Sequence, residues 1–150
     1  ATVDVARLAR EVVGEFAAQA DARGVDLGAE AAEPARLAGN EAELRSLFSN
    51  LVDNALRHAP RETQVTVAVR NSGGTVEIEV VDAGPGIPAT ERERVVQRFQ
   101  RLDGDPASGS GLGLAIVSTI VARYSGEISL ADARPGEAPP GLSVRVRLPA

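Results

Sequence analysis

The sequence predicts an α+β domain, a two-layer sandwich in which three helices cover one face of a mixed, mostly antiparallel sheet. Three observations lead there. Apolar residues recur at helical spacing in the longer segments. Shorter segments rich in β-branched residues read as strands, two of them joined as a hairpin. No alternating βαβ pattern links the two kinds of segment, so the helices group apart from the sheet.

A first helix is expected over roughly Val3–Ala22, with Val5, Leu8, Val12 and Phe16 turned inward. Short strands follow near Val25–Glu30 and Ala35–Ala38. Glu41–His58 reads as the second long helix, because Leu44, Leu47, Phe48, Leu51 and Ala55 make one apolar stripe at helical spacing. After Pro60 a hairpin joins Gln64–Arg70 to Thr75–Asp82 through the turn Asn71-Ser72-Gly73-Gly74. Glu91–Phe99 reads as a short helix and Gln100–Ser110 as a flexible segment with few apolar anchors. Gly111–Ser125 is the last helix, patterned by Ala115, Ile116, Thr119, Ile120 and Tyr124. Strands Glu127–Ala131 and Ser143–Leu148 flank a Pro/Gly-rich loop, Arg134–Gly141. Nothing repeats internally.

Composition sets the class. At 150 residues, 43% hydrophobic and 25% charged, residues 1–150 are expected to form one domain that buries an adequate core. A net charge of −5 argues against a nucleic-acid partner, since phosphodiester backbones call for a basic face. With no cysteine and a single histidine, disulfides, thiolate zinc sites and His-rich metal sites are all excluded. No apolar run approaches the length of a membrane helix and no signal peptide opens the chain, so direct membrane contact is not expected. All 16 basic residues are arginine. Without lysine there is no Walker loop and no lysine-dependent kinase site, so phosphate charge must be met by arginine, backbone amides and a metal.

Three motifs carry chemistry. The run Thr75–Val81 ends on Asp82 and then breaks into Gly84 and Gly86. A carboxylate at a strand end can accept a hydrogen bond from an exocyclic amine, and the two glycines let a flat ring approach the backbone. The plain alternative is a strand turn with Asp as turn former. On the helix Glu41–His58, Asn50, Asn54, Arg57 and His58 fall on a stripe beside the apolar arc. Asn is a mediocre helix former, so two of them there suit Mg²⁺, which takes one or two protein oxygens and completes its shell with phosphates and water. The plain alternative is a pair of core-edge amides bonded to backbone. Third, Gly109-Ser110-Gly111-Leu112-Gly113-Leu114 opens a helix, where unpaired N–H groups and the positive end of the dipole favour phosphate oxygens. Alone, that glycine string is a weak signal, and no βαβ unit surrounds it.

Taken in order, these motifs resemble a known family. Asn50–His58 is similar to the N box, Asp82–Pro88 to the first glycine box, Arg98-Phe99-Gln100-Arg101 to the phenylalanine box and Gly109–Leu114 to the second glycine box of the catalytic ATP-binding domain of bacterial sensor histidine kinases. The superfamily includes gyrase, Hsp90 and MutL ATPases. The resemblance spans essentially the whole chain, and four motifs in order make it specific. It implies a Bergerat-type fold, ATP as substrate and Mg²⁺ as cofactor. Asp82 would bind the adenine amino group, with Gly84 and Gly86 making room and Ile87 and Leu114 as apolar walls. Asn54 would be the main Mg²⁺ ligand and Asn50 a second. Arg57 would reach phosphate, and of Arg98 and Arg101 the family pattern prefers Arg101, making Asn54 and Arg101 the residues nearest the chemistry. His58 would stack or hydrogen-bond against nucleotide, the bland alternative being a helix-end histidine favoured by the dipole.

Asn50 separates chemistries. In the gyrase-type ATPases and in the serine kinases that inhibit sigma factors, the family pattern places a Glu there, a base for water or a serine hydroxyl. An amide cannot take that proton. A neutral imidazole is already a nucleophile, so Asn suits phosphoryl transfer to histidine. The serine kinases and a non-catalytic nucleotide sensor are the rival readings. No histidine lies in the first helix, so the acceptor is expected on a separate helical dimerisation domain and the chain is read as excised from a longer sensor. That parent would sit in the bacterial inner membrane with this domain, monomeric when isolated, in the cytoplasm, and a response-regulator receiver domain would be the next partner.

Overall fold

The computed structural model describes residues 1–91 and 111–150, with no side chains for residues 111–114. The expected helix Glu91–Phe99 beyond its first residue, the segment 100–110, and Arg98, Phe99, Arg101, Gly109 and Ser110 lie outside the described residues, as do the side chains of Leu112 and Leu114.

The N-terminal region departs from the single helix expected over Val3–Ala22. Thr2–Asp4 is a strand, β1, followed by α1 (Val5–Glu15) and α2 (Ala17–Ala22). The physical reasons lie at two residues. Asp4 is extended and caps α1, its Oδ1 accepting from the amides of Ala6 at 3.1 Å and Ala35 at 3.1 Å. Phe16 leaves helical geometry at φ −94°, ψ 1°, so the helix restarts one residue later. Then come β2 (Asp26–Glu30), β3 (Arg36–Ala38) and α3 (Glu41–His58). β4 (Gln64–Ser72) and β5 (Thr75–Asp82) form the expected hairpin, its strands extended to a two-residue turn in which Gly73 and Gly74 both have positive φ. α4 (Gly111–Arg123), β6 (Glu127–Asp132) and β7 (Leu142–Pro149) complete the order.

β1 and β3 make a small antiparallel pair, and the main sheet runs β2-β4-β5-β7-β6. Among the described residues only β2 and β4 pair in parallel. Strand periodicity divides its faces. Val76, Ile78 and Val80 of β5 are buried, in register with Leu148, Val146 and Val144 of β7, and this row meets the helical layer through Leu8, Leu44, Phe48 and Leu51. The opposite face is polar, with Glu77 paired to Arg147 at 3.2 Å and Glu79 to Arg145 at 3.1 Å. The α+β expectation and the sheet of mostly antiparallel strands stand as read.

Candidate functional site

Asp82 is the last residue of β5, and its parity decides where it points. It continues the inward row of Val76, Ile78 and Val80, so the carboxylate is carried into the core side of the sheet and stays only 3% exposed. Its Oδ1 accepts from the Gly84 amide at 2.8 Å. Burial pushes its carboxyl above the usual range, against the opposing pull of the Gly84 and Leu142 amides and of the His58 ring. A buried carboxylate held in place by backbone amides is a strong acceptor for a charge-assisted hydrogen bond from a ligand amine.

The C-terminal half of α3 lies against this turn. A Cβ on Gly84 would stand 2.6 Å from the His58 carbonyl oxygen, so the helix end and the Asp82 turn meet backbone to backbone. One turn back, Asn54 is 6% exposed and its Oδ1 has no hydrogen-bond partner among the described residues. An orphaned amide oxygen in the core costs roughly 1–3 kcal/mol, which a hard cation or a donor from a ligand would remove. Asn50 is half-buried, with Nδ2 donating to the Ser46 carbonyl at 2.7 Å; this fixes the orientation of the amide. His58 Nδ1 lies 2.8 Å from the Asn54 carbonyl. A carbonyl only accepts, so Nδ1 carries the proton and Nε2 is left for another partner. Arg57, expected to reach phosphate, lies along α3 with Nε 3.0 Å from Asp53 Oδ2, both side chains open to solvent. Among the described residues no three His, Asp or Glu side chains cluster as a metal cage, so a cation here would depend on amide oxygens and ligand phosphates.

The glycines of the first turn have a nearer purpose than room for a flat ring. Gly84 admits the end of α3, and Gly86, at φ +75°, packs against Gly141, whose carbonyl oxygen would stand 2.8 Å from an added Cβ. Gly141 in turn donates its N–H to the Gly84 carbonyl at 3.0 Å. Sequence reasoning saw Gly141 only as part of a loop; its signal was a glycine ending a Pro/Gly-rich stretch just before a strand that pairs with Asp82. Ile87 packs against the core beside these residues. Gly111, Leu112, Gly113 and Leu114 fall within the first described turn of α4, so the end of the glycine motif is helical and its amides point along the helix toward its N-terminus. The structure thus brings Asn54, His58, Asp82 and Gly84 together; no described contact joins Arg57 to them.

Comparison with known proteins places the family and the fold. The profile of the family described as histidine kinase-, DNA gyrase B-, and HSP90-like ATPase matches residues 39–150. The sensor-like histidine kinase SenX3 of Mycolicibacterium smegmatis is 37% identical over 131 residues, covering 85% of this chain and 34% of that protein. The chain therefore spans about a third of that relative's length. The solved structure of the mycobacterial sensor histidine kinase MprB superposes with a TM-score of 0.82 at 29% identity, over 99% of this chain and 96% of that one. The catalytic domain of the histidine kinase ThkA, at 22% identity, shares the fold with a TM-score of 0.82 over 99% of this chain and 96% of its own. The chain belongs to the family of histidine kinase-, DNA gyrase B- and HSP90-like ATPases, and within it is similar to the catalytic domains of sensor histidine kinases.

Proposed function

We propose that this domain binds Mg-ATP across the end of α3, the Asp82 turn and the start of α4, and transfers the γ-phosphate to a histidine on a separate helical dimerisation domain. The observation that carries the reading is the Asn54 Oδ1, unpartnered among the described residues and buried one turn from the carbonyl that touches the Asp82 turn. Asp82 accepts from the adenine amine, in a pocket where a wrong base leaves it unpaired. Asn54, with Asn50, supplies neutral oxygens for Mg²⁺, which when bound neutralises the phosphate charge and helps align the transferring group. The α4 amides at Gly111–Leu114 meet phosphate oxygens, joined by Arg101 and by Arg57 once it leaves Asp53.

The acceptor does the rest. A neutral imidazole attacks the γ-phosphorus with its lone pair, the bond to the bridging oxygen breaks and ADP leaves. Asn50 cannot remove a proton from water, so the site orients ATP without activating its hydrolysis. The wider protein would be a membrane-bound sensor with this domain on the cytoplasmic side, passing phosphate on to a receiver domain. Among the described residues no helix is long and apolar enough to cross a membrane.

The test is transfer in trans. With Mg-ATP alone the domain should neither label itself nor turn over ATP at a useful rate. Mixed with a His-bearing helical dimerisation domain, it should yield an acid-labile, base-stable phosphoprotein. An acid-stable phosphoserine on a partner, or rapid hydrolysis by the domain alone, would overturn the reading.

A further inference from the structure

The two helices that carry the proposed phosphate and metal contacts are fastened together at the end away from the nucleotide. Tyr124 follows the last residue of α4, and its hydroxyl accepts the backbone N–H of Asn40 at 2.9 Å. Asn40 is the N-cap of α3, its Oδ1 accepting from the Glu43 amide at 3.0 Å. The neighbouring Gly39 leaves no space for a side chain, because a Cβ would stand 2.6 Å from the Tyr124 hydroxyl and 2.8 Å from its ring. Gly39 also donates its N–H to the Ala1 carbonyl at 2.8 Å, so β1 is tied into the same junction. Arg123 pairs with Glu43 beside it.

The start of α3 therefore meets the end of α4, and the helices run antiparallel. At 1.5 Å per residue, Asn54 and Gly111 each lie roughly 20 Å from this junction. A rotation of about 3° at the junction would move them by roughly 1 Å relative to one another, enough to spoil alignment of a triphosphate held by both. We infer that Tyr124 is a positioning residue: its hydroxyl, seated over Gly39 and on the Asn40 amide, sets how the amide oxygens of α3 face the N-terminal amides of α4. The inference rests on the nucleotide site proposed above. Asp82 stands on the sheet with its turn packed on the end of α3, so a change at the junction moves α4 against that unit and leaves the adenine contact in place.

The experiment compares two ligands on the folded domain well below its melting temperature. Tyr124→Phe keeps the ring and removes only the acceptor. It should weaken a non-hydrolysable Mg-ATP analogue about three- to tenfold, the range one hydrogen bond spans, while adenosine binds as it does to the parent protein. Gly39→Ala, which pushes the ring away, should act in the same direction. Unchanged binding of both ligands by Tyr124→Phe, or equal weakening of both, overturns the inference. Failure of the site reading is distinguishable: Asp82→Asn that leaves adenosine binding unchanged removes the base site itself, whatever the Tyr124 variant does.

Discussion

The His58 carbonyl oxygen and the Cα of Gly84 are in such close apposition that a methyl group on Gly84 would stand 2.6 Å from that oxygen and 3.0 Å from Asp82 Oδ1. The first of these is backbone and has no rotamer by which to retreat. Gly84→Ala should therefore part the end of α3 from the Asp82 turn, costing about 1–3 kcal/mol as an overpacked site does. ATP-analogue affinity should fall with it. Gly28→Ala is the control, since among the described residues nothing but its own chain neighbours lies within 4 Å of a Cβ there. Thermal melting and an ATP-analogue titration on both variants check this. A Gly84→Ala protein that melts and binds like the parent would show that the contact does not constrain the site.

The end of α4 stores removable strain. Gly126 donates to the Val121 carbonyl at 2.9 Å and Ser125 to the Ala122 carbonyl at 3.0 Å, the paired bonds of a Schellman motif. That motif needs a left-handed residue at Ser125, which sits at φ 55° with a Cβ it would be better without. Ser125→Gly should stabilise the domain by about 1 kcal/mol, roughly 2–4 °C in melting midpoint at this size. Ser125→Val should move the midpoint the other way. A calorimetric scan decides, and a lowered midpoint for the glycine variant would rule the strain out.

Much of this site was legible because its residues obey strong periodicities. α3 runs over Glu41–His58 as its apolar stripe predicts, since an 18-residue amphipathic helix with Asn40 as cap overdetermines its own bounds. Asp82 is buried because alternation on β5 leaves it no other face. The break at Phe16 was not legible, for the apolar positions on either side of it keep helical spacing and the strand β1 is defined only by pairing with distant β3. The same holds for Gly39, Tyr124 and Gly141. What requires them is a partner dozens of residues away in sequence, and a local pattern carries no trace of that.

Asp4 should govern part of the acid stability. Burial pushes its carboxyl up, but the amides of Ala35, Arg7 and Ala6 and the charge of Arg36 outweigh it, and the folded state holds it below the ordinary carboxylate value. A depressed folded pKa contributes stability that is fully present above the unfolded value and lost as pH falls through the folded one. Asp4→Ala should cost about 0.5–2 kcal/mol near neutral pH. The gap between the two proteins should close as the solution is taken below the usual carboxylate range. Urea midpoints across acid pH test this, and a gap that persists at the acid end would refute the electrostatic account.

Asp82 should show the opposite sign. Burial raises its carboxyl above the ordinary value despite the Gly84 and Leu142 amides and the His58 ring, so the folded protein binds that proton more tightly than the unfolded chain does. The ionised form therefore costs stability, and that cost is absent below the unfolded pKa, grows as pH rises through the folded one and is complete above it. Asp82→Asn keeps an oxygen for the Gly84 amide and removes the charge. At neutral pH it should melt no lower than the parent and by this account somewhat higher, with the advantage shrinking as pH falls. Nucleotide affinity should move the other way: a charge-assisted bond to the adenine amine is replaced by a neutral one, a loss of roughly 1.5–3 kcal/mol or about ten- to a hundredfold. Melting across pH, set beside titration with an ATP analogue, checks both halves on one variant. A less stable protein with unchanged affinity would make Asp82 a structural turn former and leave the adenine contact without its anchor.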